Sequence, residues 1–210
     1  TTTVSPGSRG IVDIEREAEL GQAIHSKGVM ILTGYLGHTY AQQFPLAISA
    51  SIAIEQSYGY IDGDSASLAE LCCLISALTR TPIKQAFAVT GSINQYGEVQ
   101  AVGGVNEKIE GYFRLCQARG LNGENAAIIP AANKRNLMLK QEVIDAVAQG
   151  LFAVYAVSSV DETLELLTGQ PAGEASNEGL YPENSINFRA ISRLKEISDM
   201  AADDDKEEGV

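Results

Sequence analysis

Short apolar segments alternate with helical patterns along the second half of the chain, and this alternation limits the fold more than any other feature. The predicted strands are 86–93, 98–102, 126–130 and 151–157. The predicted helices are 105–120, 133–149 and 160–169, the last ending at Gly169, a residue typical of helix C-termini. Because the first half is richer in strand patterns, the whole chain is predicted to form an α+β domain.

The first half mixes both periodicities. Residues 13–27 are predicted to form a helix with Asp13 as its N-cap and Gly28 as its end. Residues 29–36 are predicted to form a strand, and period-two alternation predicts a longer strand between Phe44 and Ile61. Residues 65–80 return to helical spacing and stop before Pro82, whereas residues 1–10 fit either a strand or a frayed end.

The composition changes after Gly169, which divides the chain at that point. Residues 1–169 form the predicted domain, and residues 170–185 are predicted to be a linker. An amphipathic helix is predicted over 186–202, carried by Ile191, Leu194, Ile197 and Met200, before the acidic end 203–210. This region has three open interpretations: it packs back on the domain, contacts a neighbour or hangs free.

Charge and residue counts exclude several classes of function. The net charge is −12, from 27 acidic and 15 basic residues, which argues against binding nucleic acid or an anionic membrane surface. No apolar run is long enough for a transmembrane helix. Three cysteines, of which Cys72 and Cys73 are adjacent in an apolar helical pattern, favour core packing and a reducing compartment. The presence of only two histidines, with no Cys/His cluster, argues against a zinc site, and no phosphate-binding Walker sequence occurs.

The sequence GDSAS at 63–67 is the first candidate for chemistry. It places Ser65 where a strand pattern gives way to a helix, directly after the Gly63-Asp64 pair. Unpaired backbone N–H groups and the positive end of the helix dipole at such a position can stabilise an oxyanion. The alternative is that Ser65 or Asp64 is only a helix N-cap.

The second candidate is Lys108 in GGVNEKIEG at 103–111, where the Gly103-Gly104 pair opens a helix. A lysine acts as a general base only if burial or a neighbouring cation lowers its pKa from about 10.4. An exposed helix lysine without a chemical role is the alternative.

These two segments, with their neighbours, resemble the proteolytic domain of Lon-type ATP-dependent proteases, which use a Ser-Lys dyad. The resemblance covers roughly 11–169, and Ser65 and Lys108 lie 43 residues apart, which is the usual spacing of the family. GDSAS and HSKGVMILTGYL (25–36) are similar to the B-type branch, and within it to bacterial Lon-related proteins with an atypical ATPase half. The other matching segments are DGDSASLAEL (62–71), FAVTGSINQYGEVQAVGGVNEKIEG (87–111), AAIIPAANKRNL (126–137) and VYAVSSVDETLELL (154–167).

The resemblance implies a fold and a set of residue roles. The fold would be that of the Lon protease domain, with small mixed sheets and packed helices, similar to domain 2 of ribosomal protein S5. Ser65 would be the nucleophile, Lys108 the general base and then acid, and Thr90 the residue that orients the lysine. The backbone N–H of Ser65 would form part of the oxyanion hole.

Asp62 and Asp64 have two interpretations. A carboxylate that reached Lys108 would favour the ammonium form and raise its pKa, which opposes general-base action. The two residues are therefore candidate partners of the lysine in a resting state. Alternatively, Asp64 caps the helix and Asp62 faces solvent.

The resemblance also implies partners. We expect no metal or cofactor in this chain, with ATP needed only by an ATPase segment that the chain lacks. The substrates would be unfolded proteins or peptides, the assembly a hexameric ring, and the location cytoplasmic. Because the chain begins Thr-Thr-Thr without an initiator Met, we expect a piece of a longer or processed protein. Two alternatives remain: a catalytically silent scaffold or binding module on the same fold, and a nucleic-acid-associated domain, which the net charge disfavours.

Overall fold

The computed structural model describes the backbone of residues 1–207 and the side chains of residues 1–202. Three small sheets and seven α-helices make up this described part. The predicted α+β architecture of small mixed sheets with packed helices is confirmed. In chain order the elements are β1 (Thr2–Pro6), β2 (Gly10–Asp13), α1 (Ile14–Glu17), α2 (Ala23–Tyr40), β3 (Ile48–Ile52), α3 (Ser67–Thr79), β4 (Phe87–Val89), β5 (Ser92–Ile93), β6 (Val99–Gln100), α4 (Val105–Arg119), β7 (Ala126–Pro130), a 3₁₀ helix (Ala131–Asn136), α5 (Gln141–Ala148), β8 (Ala153–Val157), α6 (Val160–Thr168) and α7 (Ile186–Glu207).

The first sheet has β3 at its centre, antiparallel to β1 and parallel to β2. Residues 1–10 therefore contain a true strand. Ile48, Ala50 and Ile52 point into the core, as the period-two pattern predicts. The predicted strand does not continue to Ile61, because the chain enters a left-handed turn at Gln56, where φ is 55°.

The region 13–40 differs most from its prediction. Asp13 is the predicted N-cap and accepts a hydrogen bond from the Glu15 N–H, but α1 is only four residues long. A left-handed residue, Glu19 with φ of 57°, ends this helical segment, and α2 begins at Ala23. The predicted stop at Gly28 and the predicted strand 29–36 are wrong, because both lie inside α2.

The glycines of α2 obscure the helical spacing of its apolar residues. Val29, Leu32 and Leu36 have helical spacing and are all buried, but Gly28 weakens the helical signal. At Gly28 the helix passes close to the loop that carries Ser65: a Cβ at residue 28 would lie 3.4 Å from the Cα of Asp64, which is ordinary van der Waals contact.

α3 is the central helix of the main core. Its predicted stripe of Leu68, Leu71, Cys72, Ile75 and Leu78 is buried, which confirms the helix and the packing role of Cys72. Burial raises the pKa of the Cys72 thiol far above its ordinary value, so this thiol stays protonated.

The second sheet is parallel, with β7 between β4 and β8. The predicted strands 126–130 and 151–157 are confirmed, with β8 beginning at Ala153. The predicted single strand 86–93 is two strands, because the chain leaves the sheet at Thr90 and Gly91 and then forms the β5–β6 hairpin. α4 and α5 cover one face of this sheet and build a second apolar cluster around Phe113 and Phe152.

The predicted helix 133–149 is also divided. The 3₁₀ helix ends at Asn136, and Leu137 is extended, with ψ of 124°, and packs against the second cluster. α5 then starts at Gln141. The predicted helices at α4 and α6 are confirmed, including the left-handed Gly169 after α6.

The C-terminal region packs back on the domain. Residues 170–185 form neither helix nor strand, and α7 begins at Ile186. Ile186, Ala190, Leu194 and Ile197 are buried in the main core, whereas Met200 is half exposed. The acidic side chains of 203–210 lie outside the described residues.

A polar network fixes the start of α7. The Tyr40 hydroxyl donates to Asn187 Oδ1 at 2.7 Å. The Asn187 amide in turn donates to Asp161 Oδ1 and to the Gly173 carbonyl. This network joins α2, α6 and α7, so α7 is part of the folded unit.

A buried ionisable cluster lies beneath α3. His25 Nε2 is 3.5 Å from Asp13 Oδ1 and 3.8 Å from Glu70 Oε1, and all three side chains are nearly inaccessible to solvent. Burial raises the pKa of Glu70 to about 7, although His25 partly opposes the shift.

Replacing Leu194 with Ala should lower the free energy of unfolding by about 2–5 kcal/mol, because the change leaves a cavity in the main core. Met200→Ala, at an exposed position of the same helix, should cost less than about 0.5 kcal/mol. Urea denaturation measures both. Equal small effects would mean that α7 does not contribute to the core.

Replacing Glu70 with Gln should change how stability depends on pH. Because the pKa of Glu70 is raised to about 7, the folded wild-type protein loses stability as pH rises from about 4.5 through 7. The variant does not lose stability in this way. The free energy of unfolding of the variant, relative to that of the wild type, should therefore increase across that window by on the order of 1–3 kcal/mol. Thermal melts at several pH values test this, with the exposed Glu107→Gln as control. A pH-independent difference contradicts the prediction.

Candidate active site

Ser65 lies on a tight turn just ahead of α3. Gly63 has φ of 89°, a conformation that favours glycine, and it redirects the chain into this turn. The Gly91 N–H donates to the Ser65 carbonyl at 2.9 Å, and the Leu68 N–H donates to the Gly91 carbonyl at 3.2 Å. The segment between β4 and β5 therefore holds both Ser65 and the first turn of α3 through backbone hydrogen bonds.

Lys108 lies in the first turn of α4. The predicted glycine turn opens the helix: Gly104 is left-handed, with φ of 66°, and its carbonyl accepts the Lys108 N–H at 3.0 Å. The side chain runs from this turn to the serine. Lys108 Nζ is 2.9 Å from Ser65 Oγ and 3.2 Å from Thr90 Oγ1. The structure thus brings Ser65, Lys108 and Thr90 together.

The environment of the lysine lowers the pKa of its amine. Lys108 is exposed overall, but partial burial of its side chain lowers the pKa of its amine below the ordinary value. The negative charge of Asp64 acts in the opposite direction and raises this pKa, by a smaller amount.

The two aspartates have different surroundings. Asp64 Oδ2 accepts a hydrogen bond from Ser92 Oγ at 2.8 Å. The interpretation of Asp64 as the helix cap is wrong, because α3 starts after Ala66 and has no side-chain cap. Asp62 is exposed. Among the described residues, neither carboxylate forms an ion pair with Lys108.

Backbone donors surround the serine. Within the described residues, the N–H groups of Asp64, Ser65 and Ala66 donate no hydrogen bond to protein atoms. They precede α3, where the helix dipole adds positive potential. Unpaired N–H groups at the start of a helix are a favourable environment for a negatively charged oxygen.

A cleft of about 270 Å³ opens beside the serine and lies between the second sheet and α4. Ser65, Thr90 and Lys108 form its polar part, and Val89, Ile109 and Ile128 are among its apolar walls. Tyr112, one turn after Lys108 on α4, also lines the cleft and donates its hydroxyl hydrogen to the Ala86 carbonyl.

Sequence reasoning did not identify two residues that shape this site. Ser92 holds the Asp64 carboxylate, and Tyr112 lines the cleft. The spacing of Tyr112 from Lys108 places both on one helix face and could have indicated it. No pattern signals the Asp64–Ser92 contact, because it joins two different elements.

The described residues contain no group of three His, Cys, Asp or Glu side chains that could hold a metal ion. No helix in this described part of the chain is both long enough and apolar enough to cross a bilayer.

The fold and the site together define an α+β domain in which a lysine amine contacts a serine hydroxyl at the edge of an apolar cleft. A family model described as the Lon protease (S16) C-terminal proteolytic domain matches residues 42–169. The chain therefore belongs to this family.

Individual relatives agree with this assignment. A protein named "Putative Lon protease homolog" from Escherichia coli (strain K12) is 50% identical over 161 residues, which cover 77% of this chain and 28% of the relative. A protein of the same name from Haemophilus influenzae is 48% identical over 188 residues, covering 90% of this chain and 30% of the relative. An archaeal Lon protease from Methanocaldococcus jannaschii is 40% identical over 116 residues, covering 55% of this chain and 15% of the relative. The chain thus spans less than a third of the length of these curated relatives.

Replacing Asp64 with Asn should lower the pKa of Lys108 further, because the variant removes the charge that raises it. Titration of the ¹³Cε signal of Lys108 by NMR measures this pKa directly. Asp62→Asn is the matched control and should leave the Lys108 pKa unchanged. An unchanged or raised pKa in Asp64→Asn would show that this carboxylate does not act on the lysine.

Proposed function

We propose that the chain is a serine endopeptidase domain in which Ser65 is the nucleophile and Lys108 the general base. The observation that carries this proposal is the contact of 2.9 Å between Lys108 Nζ and Ser65 Oγ. Hydrogen-bond distance between a nucleophile and a base whose pKa is lowered is the arrangement that nucleophilic catalysis requires.

The first half of the reaction forms an acyl-enzyme. Neutral Lys108 accepts the hydroxyl proton while Ser65 Oγ bonds to the scissile carbonyl carbon, whose oxygen becomes an oxyanion. The free N–H groups of Ser65 and Ala66 stabilise that oxyanion. The Lys108 ammonium then donates its proton to the leaving amine as the peptide bond breaks, which leaves an ester on Ser65 and a neutral lysine.

The second half reverses these roles with water. Lys108 accepts a proton from a water molecule that attacks the ester carbonyl, and the ammonium returns a proton to Ser65 Oγ as the ester bond breaks. Thr90 Oγ1 accepts a hydrogen bond from Lys108 Nζ at 3.2 Å, which orients the amine for both transfers. These steps need no metal or cofactor.

The cleft suits an extended polypeptide. β4 is an edge strand of the second sheet and leads directly to Thr90. A substrate segment in extended conformation can pair with such an edge through its main chain, which makes few demands on sequence. We therefore propose unfolded proteins and peptides as substrates.

The wider assembly follows from the family. We propose that an ATPase segment outside these 210 residues delivers substrate with ATP, and that the domains form a hexameric ring in the cytoplasm. The net charge of −12 argues against a nucleic-acid partner.

A catalytically silent scaffold on the same fold is the alternative. The retained contact between Ser65 and Lys108 favours the enzyme, because a scaffold has no need for a lysine with a lowered pKa beside a serine. A fluorophosphonate probe that reacts only with activated serines separates the two: the enzyme is labelled at Ser65, whereas a scaffold is not.

Ser65→Ala and Lys108→Met should each reduce cleavage of an unfolded casein or fluorogenic peptide by at least about 1,000-fold, and should act non-additively together. The exposed Ser192→Ala and Lys134→Met are matched controls and should cleave normally. Cleavage that survives both active-site changes, or a wild type that neither cleaves nor is labelled, would refute the peptidase assignment.

A further inference from the structure

The start of α4 lacks the usual means of fixing a helix terminus. Its N-cap is Gly104, which offers no side chain to the unpaired N–H groups of the first turn. Gly103 precedes it, so the chain is intrinsically flexible where it must place Lys108. An amine on an exposed, flexible side chain needs a fixed backbone to return to the same position.

Asn133 supplies one external attachment. Its side chain is buried, and it forms two hydrogen bonds with one residue: Oδ1 accepts from the Val102 N–H at 2.9 Å, and Nδ2 donates to the Val102 carbonyl at 3.0 Å. A primary amide is the side-chain group that presents a donor and an acceptor in one plane, as this contact requires.

Asn106 supplies a second attachment in the opposite direction. From the first turn of α4, its Nδ2 donates to the Asn136 carbonyl at 3.2 Å, and its Oδ1 accepts from the Met138 N–H at 2.9 Å. The two amide side chains, Asn106 and Asn133, therefore join the two sides of the glycine turn to the segment after β7. We call this pair the asparagine clamp.

We propose that the asparagine clamp positions Lys108 against Ser65. Val102 lies before the glycine turn and Asn106 after it, so fixing both sets the position and direction of the first turn of α4. This inference rests on the proposed function for its effect on catalysis.

The backbone around Ser65 and the start of α4, which carries Lys108, are thereby both attached to β7 or to the segment that follows it. The Thr90 N–H donates to the Ile128 carbonyl of β7, and the next residue, Gly91, donates to the Ser65 carbonyl. On the other side, Pro130 ends β7 and leads into the 3₁₀ helix that carries Asn133. The distance between Oγ and Nζ is thus set through β7 rather than by contact between α3 and α4.

The test compares Asn106→Ala and Asn133→Ala with Asn122→Ala, a control at the opposite end of α4 whose side chain contacts only its own turn. Two readouts are used: the pKa of Lys108 from its ¹³Cε NMR signal, and the pH profile of kcat/KM for a fluorogenic peptide. Each clamp variant should reduce kcat by about 10- to 100-fold with a smaller change in KM. The Lys108 pKa should rise towards its ordinary value, moving the acid limb of kcat/KM to higher pH.

Unchanged Lys108 pKa and pH profile in folded clamp variants would overturn the proposal, as would the same changes in Asn122→Ala. If Asn133→Ala does not fold, Asn106→Ala decides, because its side chain lies at the surface of the helix start. The NMR readout does not depend on activity. A rise in the Lys108 pKa in a protein that never cleaves peptides would support the clamp while the proposed function fails.

Discussion

The hydrogen bonds of the central strand β7 hold the site together. On one side β7 accepts from Thr90, whose neighbour Gly91 fixes the backbone of Ser65, and on the other it continues into the segment that carries Asn133. Ser65 lies in the turn before α3 and Lys108 in the first turn of α4, and hydrogen bonds of neighbouring residues attach both backbones to β7 and the segment after it. α2 packs against the same turn, where Gly28 lies next to Asp64.

The pKa of Lys108 depends on two opposing electrostatic effects. Partial burial favours the neutral form of Lys108, and the Asp64 charge disfavours it. The Ser92 hydroxyl holds the Asp64 carboxylate by a hydrogen bond, so that Asp64 acts on the amine through space rather than as an ion-pair partner. The site therefore keeps the Asp64 carboxylate near Lys108 without a direct ion pair. A direct ion pair would favour the ammonium form of the lysine.

Local signals in the sequence identified the elements in which pattern, capping and burial agree, such as α3, α4 and α6. They also singled out Ser65 and Lys108, because both stand at glycine-marked helix starts. They failed in α2, where Gly28 weakens a helical pattern, and after Ile52, where the strand ends and the chain turns at the left-handed Gln56. Contacts such as Asp64 with Ser92 or Asn133 with Val102 join residues about 30 positions apart, and no local pattern encodes them.

The proposed reaction requires Ser65 to form a covalent ester with help from Lys108. Its most direct test is the mass of the protein after brief mixing with an activated peptide ester and quenching in acid, followed by peptide mapping. We expect one acyl group on the peptide that contains Ser65, and no such adduct in Lys108→Met. Acylation at another residue, or equal acylation with and without the lysine, would contradict it.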